Sequence, residues 1–108
     1  MAKVIFNNQV IAEAPDSDIL MIEGNKYFPP NSIKSEFFKE TDLHTICPWK
    51  GEASYYSVTV GDKTEENAAW FYKEPKEGSN ELVAKNNNKE TIDFSNYVAF
   101  YKDKVTIS

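Results

Sequence analysis

The sequence contains a single cysteine and a single histidine, and this scarcity excludes two common ways of stabilising a small domain. One cysteine cannot form a disulfide within the chain. A closed structural zinc site needs four nitrogen or sulfur ligands, which these two residues cannot supply. We therefore predict a chain without an internal disulfide, a metal or another cofactor.

Long apolar runs and an excess of positive charge are also missing. No segment approaches the roughly 18 consecutive apolar residues that span a bilayer, and Met1–Phe6 lacks the apolar stretch of a secretory signal. Acidic residues number 17 and basic residues 12, which gives a net charge of −5. Because this charge repels a phosphate backbone, we predict a cytoplasmic protein that binds neither nucleic acid nor membranes.

Aromatic side chains, by contrast, are abundant, at 14% of the 108 residues. Large rings of this kind pack well on half-buried sheets. Short β-prone runs follow one another at close intervals, separated by turn residues, and no long helical pattern interrupts them. We predict one mainly-β domain covering residues 1–108, a folded-over sheet or barrel with one or two short helical turns.

Alternation and turn residues predict the individual elements. Asn7 and Asn8 tolerate positive φ and should turn a hairpin of strands 4–6 and 9–13. The clearest strand, 53–60, should pair with strand 67–72. The other predicted elements are a strand at 19–23 buried on both faces, a strand at 35–38 with a helix as the alternative, a helix at 79–85 capped by Ser79 or Asn80, and a closing hairpin of 97–101 and 105–107.

The faces of the two long strands follow from their period of two. One face of strand 53–60 should carry Tyr56, Val58 and Val60. One face of strand 67–72 should carry Ala68, Trp70 and Tyr72. If the strands pair, aromatic side chains from both can line a common surface.

The stretch Cys47–Gly51 reads Cys-Pro-Trp-Lys-Gly. It places the only thiol, a proline, an ammonium group and a glycine within five residues, a higher density of chemically distinctive residues than elsewhere in the chain. Pro48 favours an extended Cys47, and Gly51 can turn the chain with positive φ. The corner should hold a thiol close to an ammonium group, which favours the reactive thiolate. Cys47 and Lys50 are therefore candidate catalytic residues; the alternative is that Cys47 is a small buried hydrophobic side chain.

The aromatic residues suggest a ligand site around this corner. Small-molecule sites combine aromatic walls with a few convergent polar groups. We predict a pocket in which Lys50 anchors an anionic or carbonyl group of an unknown small molecule. The predicted ligand-binding residues are Tyr27, Trp49, Lys50, Tyr55, Trp70, Tyr72 and Tyr97. The alternative for each ring is ordinary packing in the core or on the sheet.

Two other functions compete with ligand binding. In the first, Cys47 is a nucleophile or redox thiol activated by Lys50, with His44 as a possible base. His44 and Cys47 should lie on opposite faces of an extended segment, so we expect an exposed or structural histidine. In the second, the domain forms a homodimer through an open strand edge or its aromatic face.

Four short segments of the sequence resemble, in the same order, segments of domain-of-unknown-function family 427. They are Lys26-Tyr27-Phe28-Pro29-Pro30, Thr45 to Tyr56 around the Cys-Pro-Trp-Lys-Gly corner, Ala69-Trp70-Phe71-Tyr72, and Tyr97-Val98-Ala99-Phe100-Tyr101. The resemblance covers nearly the whole chain. It implies a mainly-β fold similar to the β-tent architecture and brings no established activity. The segment from Ser79 to Asn96 is longer than this family usually has.

Overall fold

The structure, a computed structural model, describes residues 1–108 as nine strands, one α-helix and three 3-10 turns. The strands are β1 (Ala2–Phe6), β2 (Gln9–Ala14), β3 (Leu20–Ile22), β4 (Asn25–Tyr27), β5 (Phe38–Cys47), β6 (Gly51–Val60), β7 (Lys63–Tyr72), β8 (Val98–Phe100) and β9 (Thr106–Ile107). The helix, α1, covers Ser79–Asn86, and the 3-10 turns cover Asp16–Asp18, Pro30–Ser32 and Ser35–Phe37. The predicted mainly-β class with short helical turns is confirmed.

The strands form three antiparallel sheets. β1 lies between β2 and β9, β3 pairs with β4 alone, and β5 to β8 form a four-stranded sheet in chain order. The four-stranded sheet remains open, so the fold is a folded-over arrangement of sheets and not a barrel. None of the helices has the length and apolar character needed to cross a bilayer.

Two hydrophobic cores lie on opposite faces of the four-stranded sheet, because successive side chains of a strand point to opposite sides. β8 shows this directly: Val98 and Phe100 belong to the first core, and Ala99 between them belongs to the second. The first core joins the sheet to β1 and β2. Its buried members are Ala2, Val4, Ile11, Ala12, Ala14, Phe28, Val58, Ala68, Ala69, Phe71, Val98, Phe100 and Val105.

The second core joins the four-stranded sheet to the β3–β4 hairpin and to α1. Its buried members are Leu20, Ile22, Tyr27, Ala53, Tyr55, Tyr72, Val83, Phe94 and Ala99. Partly buried side chains pack around it, namely Cys47, Trp49, Trp70, Ile92 and Tyr97. All the aromatic residues predicted to bind a ligand therefore belong to this core or border it.

The face prediction for strands β6 and β7 is largely confirmed. Tyr56, Val58 and Val60 all contact the first core, whereas Trp70 and Tyr72 contact the second. Ala68 was expected beside those two rings and instead lies in the first core. The reason is a bulge in β7 at Asn67, whose φ is +51° and next to which the β6–β7 register shifts; a bulge changes the alternation of the strand that carries it.

The β1–β2 hairpin turns at Asn7 and Asn8, with φ of +49° and +64°, as predicted. The third strand is confirmed in position, but Met21 is 44% exposed, so this strand is not buried on both faces. It lies at the surface because its only strand partner is β4.

Three other predictions are wrong. The strand at 35–38 is a 3-10 turn over Ser35–Phe37, closed by the bond from the Phe37 amide to the Lys34 carbonyl at 3.0 Å. The last two strands form no hairpin: β8 pairs with β7 and β9 with β1, because the turn that follows Phe100 carries the chain from one sheet to another. Helix α1 forms as predicted, but its N-cap is Gly78, not Ser79 or Asn80.

Candidate functional site

The Cys-Pro-Trp-Lys-Gly corner is the tight connection between β5 and β6. Cys47 ends β5 directly opposite Gly51, the first residue of β6. The chain after β7 holds the corner in place, because Lys76 donates from its amide to the Lys50 carbonyl at 2.8 Å and from its Nζ to the Pro48 carbonyl at 2.9 Å. The rigid corner predicted from the sequence is present, and it directs the Lys50 side chain inward.

Gly51 allows this close approach, and replacing it tests the corner. Its φ is +109°, and an added Cβ would lie 3.3 Å from the Lys76 nitrogen and 3.4 Å from the Glu74 oxygen. We expect Gly51→Ala to lower the free energy of unfolding by about 1–3 kcal/mol, measured by urea denaturation. Gly78→Ala is the control, since Gly78 also has positive φ, +88°, but nothing within 4 Å of an added Cβ. Equal losses in both variants would contradict the importance of the contact with Lys76.

Lys50 is the centre of the candidate site. The residue is only 6% exposed, and its Nζ forms an ion pair with the Glu23 carboxylate. The same Nζ lies 5.3 Å from the ring centroid of Trp49 and 5.3 Å from that of Tyr72. An ammonium group over aromatic faces is attracted to their electron density, and more strongly when water is excluded. The corner thus places a shielded positive charge between two rings.

Glu23 reaches Lys50 from the turn between β3 and β4. Glu23 and Gly24 form this two-residue turn, and both have positive φ, +54° and +79°. Such turns favour Asn followed by Gly, and glutamate is an uncommon first residue. The Glu23 side chain is 53% exposed although its partner is almost fully buried. Sequence reasoning missed this residue and placed the turn one residue later; a glutamate in front of a turn glycine was the only local signal.

The electrostatics keep Lys50 positively charged. Burial alone would lower the pKa of Lys50, but the hydrogen bond with the Glu23 carboxylate, and at alkaline pH the negative charge of ionised Tyr27 and Tyr72, outweigh it, so the pKa is raised. A protonated amine cannot act as a nucleophile or a general base. Such a group attracts an oxygen atom that carries negative charge; the anchor role predicted from the sequence stays a prediction.

Two buried phenols border this charge. Tyr27 is fully buried and accepts a hydrogen bond from Trp70 Nε1 at 2.9 Å. Burial raises the pKa of Tyr27, although its bond with Trp70 and the nearby Lys50 charge act in the opposite direction. Burial likewise raises the pKa of Tyr72. Both side chains are neutral at physiological pH, so each keeps a hydroxyl proton that it can donate.

The other predicted ligand-binding residues lie at different edges of the second core. The Tyr55 hydroxyl bonds Thr45 Oγ1 at 2.8 Å, and Tyr97 borders a separate groove together with Asp18 and Ile92. The structure thus brings Trp49, Lys50 and Tyr72 together and places Tyr27 and Trp70 next to them. Tyr55 lies directly opposite Trp70 in the β6–β7 pairing, and Tyr97 borders a groove that Lys50 does not line. The larger grooves of the structure are lined by residues other than Trp49, Lys50 and Tyr72, so the aromatic cluster is seen without the pocket predicted around Lys50.

Cys47 and His44 do not meet. Cys47 is partly buried and packs against the second core. His44 is exposed, and its Nδ1 lies 3.3 Å from Ser54 Oγ and 3.9 Å from Glu52 Oε1. The expectation that His44 is exposed and does not contact the thiol is confirmed. A Cys–His pair of the kind that activates a nucleophile is not formed.

The fold and the site together define a class: a small, mainly-β domain that shields one lysine charge among aromatic rings. Comparison with known families then identifies the group to which the chain belongs. A family model described as domain of unknown function (DUF427) matches residues 1–108, the whole chain. The chain is therefore a member of the DUF427 family, and the resemblance found in the sequence is confirmed. A comparison with curated proteins gave no match.

Proposed function

We propose that this domain binds a small molecule at Lys50, through a carboxylate or carbonyl oxygen of the ligand. One observation carries the proposal: the shielded ammonium group of Lys50 has a single carboxylate partner, and that partner is half-exposed on a surface turn. Glu23 then occupies the place that the ligand's oxygen takes. The family match identifies the domain and leaves its ligand open.

The exposure of Glu23 makes its displacement feasible. A carboxylate that retains much of its hydration loses little when an ion pair opens. The backbone of Glu23 also favours its displacement, because a glutamate with φ of +54° is in an unfavourable conformation. The Lys50 side chain, by contrast, is only 7% exposed. A ligand that supplies an oxygen atom to Lys50 and a flat face to the Trp49 ring replaces Glu23 without leaving the ammonium unpaired.

The proposal is tested with benzoate as the probe. We expect saturable binding, followed by tryptophan fluorescence and by amide chemical shifts of residues 48–51. Glu23→Asn should tighten binding about tenfold, because it removes the competing carboxylate, which corresponds to about 1.4 kcal/mol. Lys50→Met, which keeps the length of the side chain and removes its charge, should abolish binding.

A matched control is available elsewhere on the same sheet. Lys73 also pairs with a glutamate, Glu40, and its Nζ lies 6.0 Å from the Phe71 ring, but the Lys73 side chain is 52% exposed. Lys73→Met should leave benzoate binding unchanged. The proposal fails if Lys73→Met and Lys50→Met weaken binding equally, or if benzoate produces no saturable change in the wild-type protein.

The thiol function is the second candidate, favoured by the position of Cys47 at the edge of the same core. The same titration separates the two, since Cys47→Ser should leave benzoate affinity unchanged if Lys50 is the anchor.

The homodimer remains a further candidate. β5 is an outer strand with Ile46 73% exposed, but a register shift between Glu40 and His44 interrupts it, and bulges of this kind hinder edge pairing.

A further inference from the structure

A second groove lies beside the β3–β4 turn that carries Glu23. It has a volume of about 390 Å³, and its lining residues are Met21, Gly24, Lys26, Lys102, Val105, Thr106 and Ile107. Small-molecule sites have volumes of roughly 300–1,000 Å³, so the groove can hold a small ligand. None of its lining residues is among the residues grouped around Lys50, which are Glu23, Tyr27, Trp49, Trp70 and Tyr72.

The groove carries two lysines that form no ion pair with an acidic side chain. Neither Lys26 nor Lys102 has an aspartate or glutamate carboxylate within 4.0 Å, and no acidic side chain lines the groove. Lys26 Nζ donates to the Ser108 oxygen at 3.5 Å, and Lys102 Nζ donates to the Gly24 oxygen at 3.4 Å. Both contacts are longer than the usual range of about 2.7–3.2 Å. Each ammonium has three donors, so most of their hydrogen-bonding capacity is free.

Local charge makes this arrangement unusual for the protein. The chain has a net charge of −5. The acidic side chain on this turn, Glu23, is bound to Lys50, and Asp103, next to Lys102 in the sequence, does not line the groove. The groove is therefore a positively charged area on an acidic protein. Such an area attracts anions and adds electrostatic steering to their binding.

The rest of the groove is apolar. Val105 is buried, Ile107 is half-buried and Met21 is 44% exposed. The Asn87 side chain holds the backbone of Met21 in place, accepting from the Met21 amide at 2.9 Å and donating to the Met21 carbonyl at 3.0 Å. A methionine side chain on a fixed backbone adapts its shape to a ligand.

We propose that this groove binds a small carboxylate with an alkyl body. The carboxylate lies between the ammonium groups of Lys26 and Lys102, and the alkyl chain contacts Met21, Val105 and Ile107. The groove is separate from the site proposed at Lys50 and shares with it only the turn of Glu23 and Gly24. Its flexible apolar lining suits an alkyl chain, whereas the rings around Lys50 suit a flat ligand.

Octanoate is the probe for this site, titrated into the ¹⁵N-labelled full chain. We expect saturable shifts of the Gly24, Lys102 and Thr106 amides. Acetate, which lacks the alkyl chain, and 1-octanol, which lacks the charge, should each bind at least tenfold more weakly. The double variant Lys26→Gln/Lys102→Gln should also lose at least tenfold in affinity, or about 1.4 kcal/mol.

The control is Lys39→Gln/Lys63→Gln, which changes the net charge equally at two exposed lysines without ion pairs. It should bind octanoate like the wild type. The proposal is overturned if this control loses as much affinity as the groove variant, if acetate binds as tightly as octanoate, or if octanoate causes no saturable shift at these amides up to its solubility limit.

Discussion

Replacing Glu23 with asparagine is expected to have opposite effects in two backgrounds. In the wild-type chain, Glu23→Asn should lower the free energy of unfolding by about 1–2 kcal/mol, because the Lys50 ammonium loses its carboxylate partner. In a chain that carries Lys50→Met, the same change should raise it by about 0.5–1 kcal/mol, because asparagine suits the positive φ of this turn better than glutamate does.

The loss expected for Glu23→Asn in the wild-type chain is modest because Glu23 is exposed. Removing one partner of a fully buried ion pair costs about 3–5 kcal/mol, whereas the Glu23 side chain is 53% exposed. The effect should therefore fall below that range. Lys50→Met alone should be nearly neutral, since an apolar side chain of similar volume replaces the ion pair's buried member.

Urea denaturation of the four proteins gives the double-mutant cycle. The sign reversal is the decisive result, because contacts that are independent of each other contribute additively. Glu40→Asn with Lys73→Met provides a matched cycle on an exposed pair, and its coupling should be at most about 1 kcal/mol. If Glu23→Asn has the same effect in both backgrounds, the turn does not hold Glu23 against Lys50.

Strong destabilisation above pH 10 is the second large effect that we expect. Burial is the first cause of a raised pKa in five of the six tyrosines; these are Tyr27, Tyr56, Tyr72, Tyr97 and Tyr101, and the pKa of Tyr101 rises to about 12. The pKa of a tyrosine in the unfolded chain is about 10. The folded state therefore binds protons that the unfolded state has already released at alkaline pH.

The sign of the effect follows from this difference. A raised pKa in the folded chain contributes stability that is fully present below about pH 10 and is lost as the pH rises through the folded value. Lys50, whose pKa is also raised, acts in the same direction. We expect a constant free energy of unfolding between about pH 7 and 9 and a loss of about 3 kcal/mol or more by pH 12.

Urea denaturation across this pH range measures the loss, and absorbance near 295 nm reports tyrosinate formation. In the folded protein the absorbance should rise later than in a urea-unfolded sample. Tyr72→Phe removes one shielded phenol and should make the alkaline decline shallower. Identical titration curves for folded and unfolded protein would show that burial does not hold these phenols neutral.

Several features that depend on neighbouring residues were predictable from the sequence, although the Ser35–Phe37 turn and the cap of α1 were not. Asn7 and Asn8 turned the first hairpin because their own conformational preferences suffice. The Cys-Pro-Trp-Lys-Gly corner was predictable because Pro48 restricts the backbone and Gly51 permits the positive φ that the corner needs. Strand β6 was predictable because its alternation extends over many residues.

Features that depend on packing between distant segments were not predictable. Glu23 meets Lys50 only because the β3–β4 hairpin packs against the second core, and neither residue's neighbours indicate the other. Ala68 changed faces through a bulge that a single asparagine creates. The sequence predicted a hairpin of β8 and β9, but β8 pairs with β7 and β9 pairs with β1, in two different sheets.

The turn of Glu23 and Gly24 belongs to both proposed binding places at once. Glu23 extends to Lys50, while the Gly24 carbonyl accepts from Lys102 across the second groove. We therefore expect that a ligand that shifts the turn from one side alters the affinity on the other side. Thermodynamic reciprocity requires the same factor in both directions: if octanoate strengthens benzoate binding, benzoate must strengthen octanoate binding equally.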